Sequence, residues 1–297
     1  MEQSPQHPAF NIQHPTLSLV ECPRDAMQGW PHLIPTEKKV AYLNKLLQVG
    51  FDTLDFGSFV SPKAIPQMAD TKQVIPQLVM NSSSAKLLAI VANTRGAEAA
   101  AVYDEISYLG FPFSLSPTFQ HRNTNSTMGE SVQRIESILE LCAKTNKELV
   151  VYLSMGFGNP YGDVYNEEIL LYWADEMIRR GINILSLADT VGLATTEQVR
   201  FALETLLPRY PEATIGVHLH STATNWKTKL DAAVQAGCKR FDGALKGIGG
   251  CPMAQDELVG NMDTALMIPY FEEKQMIPGL NRQALQESLL MADQLFV

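Results

Sequence analysis

Along this chain, short apolar runs alternate with stretches in which apolar residues recur every three or four positions. The runs at 17–22, 53–57, 86–92, 111–115, 149–154, 182–187, 214–220 and 240–244 have the length and composition of buried strands. Helical patterns fill most of the gaps, at about 36–49, 65–79, 96–108, 128–146, 166–180, 195–207, 224–236 and 261–274. The period is plainest at 128–146. There Val132, Ile135, Ile138, Leu139 and Cys142 fall on one face, with Glu130, Arg134, Glu136 and Lys144 between them. Thr36, Asn166 and Thr195 stand where helix N-caps belong, since their side-chain oxygens can accept from the free N–H groups of a first turn. Gly50, Gly110, Gly181 and Gly237 are expected to follow helices at the left-handed C′ position.

Eight strand-then-helix units in order, with mostly short connections, predict a parallel sheet. Eight of them over about 250 residues is the count that closes a TIM (β/α)8 barrel. The competitor, an open doubly wound sheet, would carry a Gly-rich phosphate turn after its first strand, and residues 22–28 are not one. The expected organisation is an N-terminal arm at 1–16, one barrel domain at 17–274 and a helical extension at 275–297 packed outside it. The length of 297 residues, which at about 150 per domain suggests two domains, then fits one barrel with its appendages.

An apolar fraction of 45% with 19% charged residues is globular composition. The net charge of −9 sets the surface against phosphate backbones and anionic bilayers, so neither nucleic acid nor a membrane is expected as a partner. No apolar run approaches the roughly 18–20 residues that span a bilayer. Residues 1–15 carry neither Lys nor Arg nor an apolar core, so a secretory leader is not expected. Cys22, Cys142, Cys238 and Cys251 show no C-x-x-C spacing, which argues against a disulfide framework and a structural zinc site and fits a reducing cytoplasm.

In such a barrel the chemistry gathers at the C-terminal ends of the strands. Arg24 and Asp25 follow the first strand, Asp55 lies in the second, and Asn93 and Arg95 follow the third. Asp189 follows the sixth, His218 and His220 lie in the seventh, and Lys246 and Cys251 follow the eighth. Residues i and i+2 of a strand share a face, so two imidazoles at 218 and 220 can grip one metal ion while Leu219 packs outward. Two metal-free core histidines are the bland alternative. Asp25 can add a carboxylate oxygen and Asn261 an amide oxygen, a set that suits Mg²⁺ or Mn²⁺ and does not exclude Zn²⁺. Asp25 also fits a turn or cap, and Arg24 beside it also fits a rim ion pair. As chemistry, Arg24 could stabilise an enolate oxygen. Cys251, in the run Lys246–Pro252, reads either as an inert turn residue or as an accessible acid–base thiol. Asp55 and Asp189 could orient ligands or hold substrate.

Three segments carry a resemblance. Residues 21–28 (ECPRDAMQ), 57–63 (GSFVSPK) with 66–70 (PQMAD), and 247–254 (GIGGCPMA) resemble hydroxymethylglutaryl-CoA lyases. These belong to a superfamily of metal-dependent barrel lyases and condensing enzymes that share an Arg-Asp near the first strand and a His-x-His in the seventh. The similarity runs from about Leu17 to about Ile268. It implies a TIM barrel and metal-dependent retro-Claisen cleavage of 3-hydroxy-3-methylglutaryl-CoA to acetyl-CoA and acetoacetate, as in leucine degradation. By matching motif it implies Asp25, His218, His220 and Asn261 as metal ligands, Arg24 as the enolate-stabilising residue and Cys251 as the acid–base thiol. Arg24, Asp55, Asp189 and Cys251 are the expected catalytic set, and Gln28, Ser58, Lys63 and Arg24 the expected substrate contacts. Lys63, Arg95, Arg122 and Lys246 are candidates to offset the charge of an acyl-CoA, the expected small-molecule partner; a homo-oligomer is left open.

The chain departs from the family pattern at four places, as a divergent branch would. Asp55 stands where Glu is usual, and Ser221-Thr222 where Asp-Thr is usual. Residues 158–163 read Gly-Asn-Pro-Tyr-Gly-Asp in place of Gly-Cys-Pro-Tyr-Glu-Gly, and the Cys251-to-Asn261 spacing is one residue longer. The alternatives are a related condensing enzyme or aldolase acting on acyl-CoA and 2-oxo acids, and a non-catalytic acyl-CoA-binding barrel.

Overall fold

The computed structural model describes residues 17–81, 83–250 and 259–297. The expected arm at 1–16 and Cys251 lie outside the described residues. Eight strands pair in parallel and in chain order: β1 (Ser18–Glu21), β2 (Thr53–Ser58), β3 (Lys86–Ile90), β4 (Ile106–Ser114), β5 (Glu148–Ser154), β6 (Ile184–Ala188), β7 (Thr214–His218) and β8 (Arg240–Gly243). β8 returns to β1, with Val20 opposite Asp242, and the sheet closes. This is the TIM barrel that the alternating strand and helix patterns predict.

The helices are α1 (Pro23–Gln28), α2 (Thr36–Leu46), α3 (Thr71–Val74), α4 (Thr94–Ala101), α5 (Pro117–Thr124), α6 (Met128–Thr145), α7 (Glu167–Arg179), α8 (Thr196–Arg209), α9 (Trp226–Gln235), α10 (Thr264–Glu273) and α11 (Arg282–Leu295). α6 buries Ile135, Ile138 and Cys142, the face that its period marks out, and starts on a capping box made by Thr127 and Glu130. Asn166 and Thr195 do cap α7 and α8. α11 lies against α2, and Phe296 just beyond it sets its ring edge-on to Trp30 and Tyr42.

Several local expectations are corrected. Pro35, not Thr36, occupies the cap position of α2, and the Thr36 hydroxyl instead donates to Asp70. The stretch 65–79 is not one helix. Pro66 and Pro76 cannot supply interior N–H groups, and the segment breaks into two 3-10 turns around α3. α4 ends at Ala101 and β4 starts at Ile106, so Gly110 sits inside a strand and caps nothing. A Cβ there would come within 2.6 Å of Ile90 and 3.1 Å of Tyr152, so glycine makes room for the packed barrel interior. α1 and α5 are helices that the periodicity does not reveal. Both are short, and both begin with proline at the first turn, where its missing N–H costs nothing.

Candidate active site

The C-terminal ends of the strands surround a cavity of about 490 Å³. Its lining includes Arg24, Asp25, Gln28, Ser58, Tyr152, Ser154, His218 and His220. α5 and the loop after it supply the far wall through Phe119, Arg122, Asn123 and Thr124.

β1 runs straight into α1, which turns Arg24 and Asp25 inward over the barrel mouth; both are buried. The Arg24 guanidinium is fully directed. Its Nε donates to both Asp55 oxygens at 3.1 Å, its Nη2 to Asp55 Oδ2 at 2.5 Å, and its Nη1 to Asp25 Oδ1 at 3.0 Å. The second strand's carboxylate thus fixes the arginine from below. Burial raises the Asp55 carboxyl by more than Arg24 lowers it. Burial would raise Asp25 too, but Arg24 and the two imidazoles bring it down to about 2, so it is ionised at neutral pH. Gln28, one helical turn on, donates to Asp25 Oδ1 at 2.7 Å.

β7 stops at His218, one turn of the pleat earlier than expected. His220 lies beyond it in an antiparallel bridge to Asn261. The two rings are 5.4 Å apart. His220 Nδ1 lies 2.8 Å from the Val259 carbonyl oxygen, which can only accept, so Nδ1 carries the proton and Nε2 keeps its lone pair. Burial and the neighbouring His218 lower His220 to about 4, which keeps it neutral. Asp25, His218 and His220 each offer a donor atom, and these atoms lie within 4.8 Å of one another. Asn261 Nδ2 donates to Asp25 Oδ2 at 2.7 Å and to the Ile248 carbonyl at 2.9 Å. Its Oδ1 is buried with no hydrogen-bond partner. The carboxylate and two imidazoles that converge here fit a divalent cation, and the unpaired amide oxygen of Asn261, costly when buried, belongs to a residue in direct contact with that carboxylate. Gly249 closes over this group; a Cβ there would lie 2.3 Å from Asn261 Nδ2.

The remaining expected residues fall in different places. Ser58 lines the cavity, its hydroxyl donating to the Ile90 carbonyl at 3.3 Å. Lys63 and Arg95 are exposed and outside the described lining. Lys246 pairs with Asp293 of α11. Asp189 also lies outside the lining. It holds the buried Lys229 ammonium at 2.6 Å, and the same Lys229 donates to the His220 carbonyl at 2.8 Å. Asp189 therefore acts on the site through the backbone of His220. The residues that sequence reasoning missed are Asp242, whose Oδ2 lies 3.3 Å from His218 Nδ1, and Tyr152, whose ring meets His218 edge-on at 5.9 Å. Both sit inside strands, where a lone polar residue gives no signal until the barrel closes.

The chain matches the model of the HMGL-like family over residues 19–290. It is 34% identical over 232 residues to the hydroxymethylglutaryl-CoA lyase YngG of Bacillus subtilis, covering 78% of this chain and 77% of that protein. It is 29% identical over 272 residues to the (R)-citramalyl-CoA lyase of Chloroflexus aurantiacus, covering 89% and 85%. Among solved structures, an HMG-CoA lyase from Acinetobacter baumannii in complex with coenzyme A and 3-methylmalate superposes with a TM-score of 0.87 at 29% identity, over 95% of this chain and 91% of that one. With the barrel, the Arg-Asp turn and the paired histidines in place, the chain belongs to the HMGL-like family.

Proposed function

We propose that this protein cleaves 3-hydroxy-3-methylglutaryl-CoA to acetyl-CoA and acetoacetate with a divalent cation at Asp25, His218, His220 and Asn261. The general class, a carbon–carbon lyase acting on an acyl-CoA, accords with the family. The observation that carries the finer reading is the contact between Arg24 and Asp25 at the cavity wall, which sets a guanidinium beside the donor atoms of Asp25, His218 and His220.

The reaction removes the proton of a tertiary hydroxyl while the adjacent C–C bond breaks toward a thioester enolate. That enolate then takes a proton on carbon. The cation would supply Lewis acidity to the hydroxyl and carboxylate oxygens of the substrate. Ionised Asp25, whose carboxylate keeps lone pairs beyond the one given to the cation, is the group able to accept the hydroxyl proton at neutral pH, since His220 carries its proton on Nδ1 and gives its Nε2 lone pair to the cation. Arg24, held rigid by Asp55, offsets the charge growing on the enolate oxygen. On sequence grounds, the Cys251 thiol returns the proton to carbon. Cys251→Ala is expected to lower turnover by about 10²–10⁴-fold in a folded protein, the range for loss of a general acid. Near-normal acetoacetate release by that variant would remove Cys251 from the scheme.

A second substrate, citramalyl-CoA, is favoured by one observation. The match to the citramalyl-CoA lyase, 29% identical over 272 residues, is as extensive as that to a mitochondrial hydroxymethylglutaryl-CoA lyase, 30% identical over 268. Its cleavage releases the same acetyl-CoA enolate but leaves a 2-oxo acid in place of acetoacetate. Comparing kcat/KM for the two thioesters decides between them.

A further inference from the structure

His218 meets a second set of groups on the side away from the cavity. β7 and β8 pair with His218 directly across from Asp242, so both side chains stand in the same layer of the barrel interior. The distance from His218 Nδ1 to Asp242 Oδ2 is 3.3 Å. Asp242 is itself held. The buried Arg240, two residues earlier on the same face of β8, donates to its Oδ1 at 2.6 Å, and the Ser186 hydroxyl on β6 donates to its Oδ2 at 3.2 Å. The barrel makes room for this arrangement. A Cβ on Gly216 of β7 would lie 2.8 Å from the Cβ and Cγ of Arg240, so a glycine on one strand accommodates the arginine on the next.

We propose that Asp242 is a positioning residue for His218, fixing the ring with its proton on Nδ1 and its Nε2 lone pair free for the cation, and that Arg240 and Ser186 hold Asp242 to that task. A carboxylate only accepts, so the contact selects one tautomer and one ring orientation together. Cys22 also falls within reach of His218 and Asp242. Both Asp242 oxygens are already engaged by Arg240, Ser186 and His218, so this lower group serves as support for the upper one.

The inference rests on the cation site proposed above, and one titration separates the two claims. Mn²⁺ is titrated calorimetrically into the parent, into Asp242→Asn and into the double variant Arg240→Met, Asp242→Leu. In Asp242→Asn, Arg240 takes the amide oxygen and turns the amide N–H groups toward His218, which forces the other tautomer. The double variant removes the buried ion pair as a unit, so it strands no charge and remains a usable test if the single variant unfolds. Mn²⁺ affinity is expected to fall about 10–100-fold in either folded variant, the usual cost of losing such an outer partner. The ¹⁵N imidazole shifts of His218 are expected to move from the Nδ1–H to the Nε2–H pattern in Asp242→Asn. Affinity within twofold of the parent, with unchanged shifts, would overturn the role of Asp242 alone. A parent that takes up no Mn²⁺ would overturn the cation site and this inference with it.

Discussion

Arg24 illustrates how a residue type is committed to one task by its partners. Asp55 takes its Nε and Nη2 while Asp25 takes Nη1, so the guanidinium cannot swing between poses. A preorganised cation costs no reorientation when charge develops, which is why such groups act mainly on the transition state. Arg24→Met is therefore expected to lower kcat by about 10²–10³-fold with a much smaller change in KM. Steady-state kinetics check this, and a rise in KM at unchanged kcat would assign Arg24 to binding. Glu21 offers a residue-scale test of the scaffold. It is buried, its Oε1 accepts from the Leu245 N–H at 2.8 Å, and burial raises its carboxyl to about 8. The unfolded chain ionises near 4.5 while the folded one stays protonated, so stability should fall as pH rises from about 4.5 to 8 and level off above. Glu21→Gln mimics the protonated form. It is expected to flatten that decline and to raise Tm at pH 8 by about 2–4 °C or more, the shift that ~1 kcal/mol gives in a domain of this size. Thermal melts across this pH range check it; parallel curves for the two proteins would contradict it.

At the scale of elements, α5 depends on a residue far away in sequence. Asp163, in the loop after β5, accepts from the Thr118 N–H and hydroxyl, each at 2.9 Å, and from the Ser116 hydroxyl that caps the helix. The same loop stacks Tyr161 on Phe119 at 6.1 Å. α5 lines the cavity through Phe119, Arg122, Asn123 and Thr124, so Asp163→Ala should raise KM for the acyl-CoA by about 10-fold, equivalent to ~1.4 kcal/mol, while leaving kcat within about twofold. Unchanged KM in a folded variant would show that the wall does not depend on this tie. The segment 158–163 is one of the places where the chain departs from the lyase pattern, and Asp163 shows what the departing residues do. The eight strand runs were legible because strands buried on both faces read as short continuous apolar runs, and α6 because burial of one helix face imposes a period. α1, α5 and the broken stretch at 65–79 were not, because a helix of one or two turns started or stopped by proline is too short to display one.

For the whole molecule, closure of the barrel turns scattered residues into a site. His218 and Asp25 could be nominated from the sequence, since a His-x-His on a strand and an Arg-Asp at a strand end are local patterns. Asp55 and Asp189 could be nominated too, as residues that orient ligands or hold substrate, but not the group that each would hold, and Asp242 and Lys229 could not be nominated at all. Asp242 supports His218 across a strand pair, Asp55 supports Arg24 from the neighbouring strand, and Lys229 links Asp189 to the backbone of His220. Those contacts come from register and closure, which no local pattern encodes. Among the described residues no helix is long and apolar enough to cross a membrane.

The central claim is that the Asp25, His218, His220 and Asn261 group, with Arg24 beside it, cleaves an acyl-CoA between carbons. It is tested most directly by following acetyl-CoA release from 3-hydroxy-3-methylglutaryl-CoA and from citramalyl-CoA, with Mg²⁺ or Mn²⁺ and again after chelation. The expected result is release from at least one thioester that chelation abolishes and added cation restores. Folded, cation-loaded protein that releases acetyl-CoA from neither would contradict it.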